Sequence, residues 1–218
     1  SLPSLSLPDR YLPFSSIGKS FAENNICEMG YAVSKIYARS IIEEFSIRFD
    51  ENIHCLEDLL FMYQYLLHCD YLVLNHMQNY VYVKHSFSLS HRIHSFESEY
   101  CCFVKYQQLL AEMMKVWKIP AGDMVVTVNS MLVPFRRALK SDYQPDRTIP
   151  REMRVKHLKR MISESRDVFL KYYHPVFKTD KLGKVLLGFN CYILYDFYIR
   201  LLFRLNIGPV FYGPKHMY

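Results

Sequence analysis

Apolar positions recur three and four residues apart at Leu56, Leu59, Leu60, Tyr63, Leu66 and Leu67, the spacing of one buried helix face, and Glu57 and Asp58 stand in the first turn of that helix. Ahead of it, Ser34 to Glu44 reads as a helix with Ser34 as N-cap and Ile36, Ile41 and Ile42 turned inward; Phe45 to Phe49 alternates as a short strand. Behind it, Tyr71 to Leu74 and Asn79 to Lys84 read as two short strands that pair with each other. From about His94 the spacing is helical throughout. It predicts helices over Ser95 to Lys118, closed by Pro120; Gly122 to Lys140, kinked at Pro134; Arg151 to Lys171, started through Pro150; and Lys181 to Asn206, ended before Pro209. Connections this short favour antiparallel neighbours and hence a small bundle. Ser1 to Asn24, with Pro3, Pro8 and Pro13 among Ser and Leu, lacks periodicity and reads as an extended linker. The expected class is α+β and α-rich: a lead-in over 1–24, a mixed segment over 25–93 and a helical region over 94–218.

Composition narrows this picture. Of 218 residues, 50% are hydrophobic, 16% aromatic and only 22% charged, which excludes a disordered chain and allows one sizeable core or two small ones. The cysteines, Cys27, Cys55, Cys69, Cys101, Cys102 and Cys191, form no Cys-x-x-Cys pair, and no signal peptide is visible, so reduced thiols in a cytoplasmic protein are expected. The pairs His54-Cys55 and His68-Cys69 suggest zinc, but on one helix they would stand about 21 Å apart, too far for a shared ion. His91 and His94 have a spacing that could hold a metal, although a solvent-facing helix start explains them more simply.

The acid pair has two readings. Acids favour a first helical turn because they meet the positive end of the helix dipole. A carboxylate on a rigid helix end facing a cleft is also a general base. The surroundings bear on the choice. Gly30-Tyr31-Ala32-Val33-Ser34-Lys35-Ile36-Tyr37 is followed by Phe49-Asp50-Glu51-Asn52-Ile53, the Glu57-Asp58 helix, Tyr80-Val81-Tyr82 and Ser86-Phe87-Ser88. In this order and at these separations, over about Gly30 to His91, the blocks resemble the acceptor half of family 2 glycosyltransferases, inverting enzymes of GT-A type.

The resemblance implies that Asp58 is the base that deprotonates the acceptor hydroxyl, with Glu57 as its supporting neighbour. It implies a metal-shell role for His85 and contacts to the donor diphosphate from Lys84, Ser88 and Ser90; a basic residue and serines behind a strand also describe a solvated loop. Val33 stands where many relatives carry Trp, which weakens a stacking role there. The family's donor half, with its Asp-x-Asp motif for Mg²⁺ or Mn²⁺, has no counterpart: the chain holds no Asp-x-Asp, no Gly-x-Gly-x-x-Gly and no phosphate loop, and only seven glycines. The expectation is therefore the C-terminal piece of a longer transferase, inactive alone, whose intact form moves sugar from a nucleotide-sugar to a glycan or lipid-linked acceptor.

Charge adds a partner. Between Arg136 and Lys171 stand eleven Lys or Arg against five Asp or Glu. Acids interrupt the run and no reader motif accompanies it, so nucleic acid is not expected. The segment 181–206 is apolar and aromatic nearly all round and would span about 30 Å as one helix, but Asn190, Asp196 and Arg200 argue against insertion. It is expected either to cap the bundle as a buried helix or to lie as an in-plane anchor on the inner face of a membrane. The competing class is a non-catalytic helical module that binds a partner or a membrane. A fragment lacking half its fold would also tend to self-associate.

Overall fold

A computed structural model describes residues 10–23, 26, 32–75, 80–81, 93–119, 132–144, 147–175, 177–205 and 207. The class is α+β and α-rich. Its elements are β1 (Arg10–Pro13), α1 (Phe14–Glu23), α2 (Arg39–Glu44), α3 (Glu57–Leu66), β2 (Tyr71–Leu74), α4 (Phe96–Trp117), α5 (Leu132–Tyr143), α6 (Arg151–Tyr172), α7 (Lys178–Gly188) and α8 (Tyr192–Arg204). The chain divides into two compact units, one of Ser1–Arg92 with Lys105–Thr127, the other of Ile93–Val104 with Val128–Tyr218. α4 contributes residues to both.

In the first unit β1 and β2 pair antiparallel, Arg10 opposite Leu74 and Pro13 opposite Tyr71. Residues 10–23, expected as extended linker, are thus a strand and a helix, while most of residues 79–84, expected to pair with Tyr71–Leu74, lie outside the described residues. Pro13 sits at the end of its strand, where a missing N–H is tolerated, and the Phe14 amide continues the contact by donating to the Asp70 carbonyl at 2.8 Å. In α1, Ile17 and Phe21 fall one turn apart and both are fully buried. Phe21 packs against Tyr63 of α3 and Trp117 of α4, and the buried Tyr63 and Tyr106 hydroxyls share a hydrogen bond at 3.1 Å. The described residues of the other expected strand, Tyr80 and Val81, are exposed coil.

Gly18 is where α1 meets α4 most closely. A Cβ there would stand 2.5 Å from Trp117 Cβ and 2.8 Å from the Trp117 carbonyl oxygen. The obstacle includes backbone, so Gly18→Val is expected to cost about 3 kcal/mol, read as a fall in the urea midpoint at unchanged slope; a shift near zero would show that α1 can slide.

Two further expectations fail locally. Ser34 to Glu44 is not one helix: α2 starts only at Arg39, Ser34 has φ 60°, and Ile36 is 101% exposed rather than inward. Phe45 to Phe49 is a turn and coil rather than a strand, with Ile47 alone buried. The helix lies where expected, but its buried set differs: Phe61, Met62 and Tyr65 are covered along with Leu59, Leu60, Tyr63 and Leu66, while Leu56 and Leu67 are half-buried.

The second unit packs α6, α7 and α8 against one another, with α5 beside α6 and α8. α5 begins at Leu132, so Pro134 lies in its first turn, where no kink is needed; residues 120–131 lie outside the described residues. Lys181 to Asn206 is two helices, not one. Asn190 adopts φ 57°, a conformation Asn tolerates better than most residues, and Arg166 caps the break by donating to Asn190 Oδ1 and to the Gly188 carbonyl. Among the described residues no helix is long and apolar enough to cross a membrane.

Much of the basic stretch is neutralised inside this unit. Arg136 pairs with Asp180 at 2.9 Å, Arg137 with Glu99 at 2.8 Å and Arg160 with Glu97 at 2.8 Å. Arg154 is bidentate to Asp196, which also accepts from the Tyr143 hydroxyl. Cys55, Cys69, Cys101, Cys102 and Cys191 form no disulfide among the described residues.

Candidate active site

Glu57 and Asp58 are the first two residues of α3, both half-buried. Leu56, their N-cap, has φ 65° and ψ 13° and makes no side-chain cap. A left-handed conformation costs a non-glycine residue about 1–2 kcal/mol, and Ser34, on the facing segment, is left-handed too. Retained strain of this kind gathers at functional sites.

The segment Ala32–Ala38 is a bend followed by irregular chain and runs past α3, held at both ends by side chains two turns apart. Asp58 Oδ2 accepts from the Ala32 amide at 3.3 Å, and the Tyr65 hydroxyl accepts from the Ala38 amide at 2.6 Å. Those bonds give the segment's amides the partners that a helix would have supplied, which is why it departs from the helical expectation. Asp58 Oδ1 has no hydrogen-bond partner among the described residues.

Along this segment come Lys35 and Tyr37, both close enough to feel the Asp58 charge. Burial lowers the Lys35 ammonium below its ordinary value, while Asp58 opposes that fall. Burial first, and then the Asp58 charge, push the Tyr37 phenol up to about 12, so at neutral pH it is a donor. Its ring stands edge-on to Phe61 and Tyr65, 5.4 and 4.8 Å between centroids, and its hydroxyl is buried without a partner among the described residues. An orphaned hydroxyl costs about 1–3 kcal/mol. Tyr37→Phe should therefore raise stability by about 1 kcal/mol in thermal unfolding; a loss of that size would show that the hydroxyl is already satisfied.

The arrangement is a carboxylate with one oxygen unbonded among the described residues, an ammonium that offsets its charge, and a phenol able to donate to an oxygen. Such a set can take a proton from an alcohol and hold the alcohol in place. Lys35 and Tyr37 were not singled out from the sequence because a helix would turn them about 200° apart. In extended chain, residues two apart share a side, and that reading would have found them. Lys84, His85, Ser88 and Ser90 lie outside the described residues. Among the described residues no group of three His, Cys, Asp or Glu side chains could hold a metal ion; His91 is also outside them. Comparison of the chain with family models, with curated proteins and with solved structures gives no match.

Proposed function

We propose that this chain supplies the acceptor side of an inverting sugar transfer, with Asp58 as general base. The observation that carries the reading is the half-buried Asp58, held at a helix start by the Ala32 amide, with Lys35 and Tyr37 near enough to feel its charge. An acceptor hydroxyl gives its proton to Asp58 as its oxygen attacks the anomeric carbon of a nucleotide-sugar. The bond from that carbon to the nucleoside diphosphate breaks, and the configuration inverts. Lys35 offsets the carboxylate's charge, and Tyr37 donates to the acceptor or to a ring oxygen. Glu57, one residue earlier on the helix end, supports the local field. The order of sequence blocks from Gly30 to His91 supports the same class of reaction. Neutralisation of the departing diphosphate, by Mg²⁺ or Mn²⁺ in the family it resembles, is assigned to none of the described residues. The proposed setting is the cytoplasmic side of a membrane, with a glycan or lipid-linked acceptor.

The test is transfer of labelled sugar from a panel of nucleotide-sugars to glycan and polyprenyl-phosphate acceptors by the full-length gene product, with anomeric configuration read by NMR. Inverted product supports the reading. Folded protein that transfers from no donor overturns it in favour of a non-catalytic helical module, a second reading favoured by the exposed apolar side of α8.

A further inference from the structure

α8 buries Tyr195, Asp196, Ile199 and Leu202 and leaves its other side bare. Ile193, Phe197, Leu201 and Leu205, spaced by four, are between 41% and 68% exposed, and Leu194 widens the strip they form. Single exposed apolar residues are ordinary, but an aligned strip along one helix is not. At about 100° per residue, Arg200 and Arg204 fall on one edge of this strip, and both are exposed.

Against that same edge lies a cleft of about 330 Å³ lined by Arg147, Arg154, Arg200 and Arg204 with Gln144 and Thr148. Its charges are unequal. Asp196 neutralises Arg154, while Asp142, the acid in the lining, is bonded to His157 at 2.7 Å and its charge also acts on Arg154 and Arg147. Arg147 is held by the carbonyls of Ile93, His94 and Ser141, which fix the guanidinium without cancelling its charge. Arg200 and Arg204 form no ion pair among the described residues. Three arginines against one carboxylate, Asp142, therefore converge on a space of headgroup size, an excess of positive charge, and guanidinium matches phosphate oxygens in geometry as well as charge.

We propose that this face docks on an anionic bilayer, with the α8 strip in the acyl boundary and a phospholipid phosphate in the arginine cleft. A free phosphate would use the cleft alone. The adjoining strip calls for a phosphate that carries hydrocarbon, and a helix of 13 residues, too short to span, lies in the plane. The surface belongs wholly to the second unit and does not depend on the Asp58 chemistry.

The test is co-sedimentation of the chain with vesicles of phosphatidylcholine, with and without phosphatidylglycerol, at low and high salt. Binding should require phosphatidylglycerol, weaken with salt, fall about fivefold for each of Arg200→Gln and Arg204→Gln, and be lost in Phe197→Ser/Leu201→Ser. These residues are exposed, and circular dichroism confirms that each variant is folded. No binding by the wild type, or equal binding to neutral vesicles, overturns the proposal. Inorganic pyrophosphate binding in calorimetry without vesicle binding would make the cleft a site for soluble anions only. A dimer in sedimentation equilibrium that Phe197→Ser/Leu201→Ser dissociates would show that a second copy of the chain covers the strip. Either result replaces the bilayer as the occupant.

Discussion

Asp196→Ala is expected to destabilise the second unit by about 4 kcal/mol, the range seen when one partner of a buried ion pair is removed. Arg154 is 8% exposed and Asp196 2%, so the variant leaves a largely buried guanidinium with its two best acceptors gone. The Tyr143 hydroxyl loses its acceptor as well. Amide exchange in α6 and α8, read by mass spectrometry, should quicken about a thousandfold at neutral pH if it follows opening of the unit. The loss belongs to the stranded charge rather than to the worth of the pair. Arg154→Met, Asp196→Leu and Tyr143→Phe together should therefore recover most of it, and a triple variant as unstable as the single one would refute that account. The pH dependence follows in sign. Burial pushes the Asp196 carboxyl up, but hydrogen bonds from Arg154 and Tyr143 and the charges of Arg154 and Arg200 outweigh burial and hold it below its usual value. Its contribution is full above about pH 4, where the unfolded carboxyl is ionised, and is lost as pH falls through the lower folded value. The gap between wild type and Asp196→Ala should accordingly close in acid.

Asp58→Asn should lower sugar transfer by the full-length gene product about a thousandfold, within the span measured for loss of a general base, while donor affinity stays as it was. The substitution isolates basicity from structure. An asparagine side-chain oxygen can still accept from the Ala32 amide, so the Ala32–Ala38 segment should remain tied to α3 and the urea midpoint should hardly move. Glu57→Gln, one residue away, should cost no more than about tenfold, because it alters the field without removing the base. Two outcomes would tell against the assignment. Activity within tenfold of wild type would mean that Asp58 takes no proton. A collapse of stability alongside activity would mean that the side chain is a structural tie and nothing more.

What could be read along the chain was whatever depended on neighbours in sequence. The α3 stripe with its acidic first turn, the Tyr71–Leu74 strand, and the long helices α4 and α6 all follow from local spacing and breakers. The failures share a cause, a distant partner that overrules the local signal. β2 pairs with residues some sixty positions earlier, and Pro8 and Pro13 drew attention away from Ile17 and Phe21, whose i, i+4 spacing marks α1. The Ala32–Ala38 segment is shaped by hydroxyl and carboxylate groups from α3, which nothing within the segment announces. Asn190 breaks a run whose apolarity is continuous, and only Asn's tolerance of positive φ hinted at it. At the candidate site the acid pair was legible because a helix start is local. Lys35 and Tyr37 were not, because their relation to Asp58 exists only across the fold.

The seating of Gly18 on Trp117 has a consequence for how the protein is made. Translation delivers α1 roughly a hundred residues before α4, so on the ribosome Phe21 lacks part of its packing, the Trp117 side, after Tyr63 has already emerged. Until α4 is made the first unit cannot close its interior, and the sheet of β1 and β2 is too small to stand alone. Termination anywhere before the end of α4 would yield an unfinished, protease-sensitive product, and slow elongation across α4 would prolong the interval in which chaperones have something to hold.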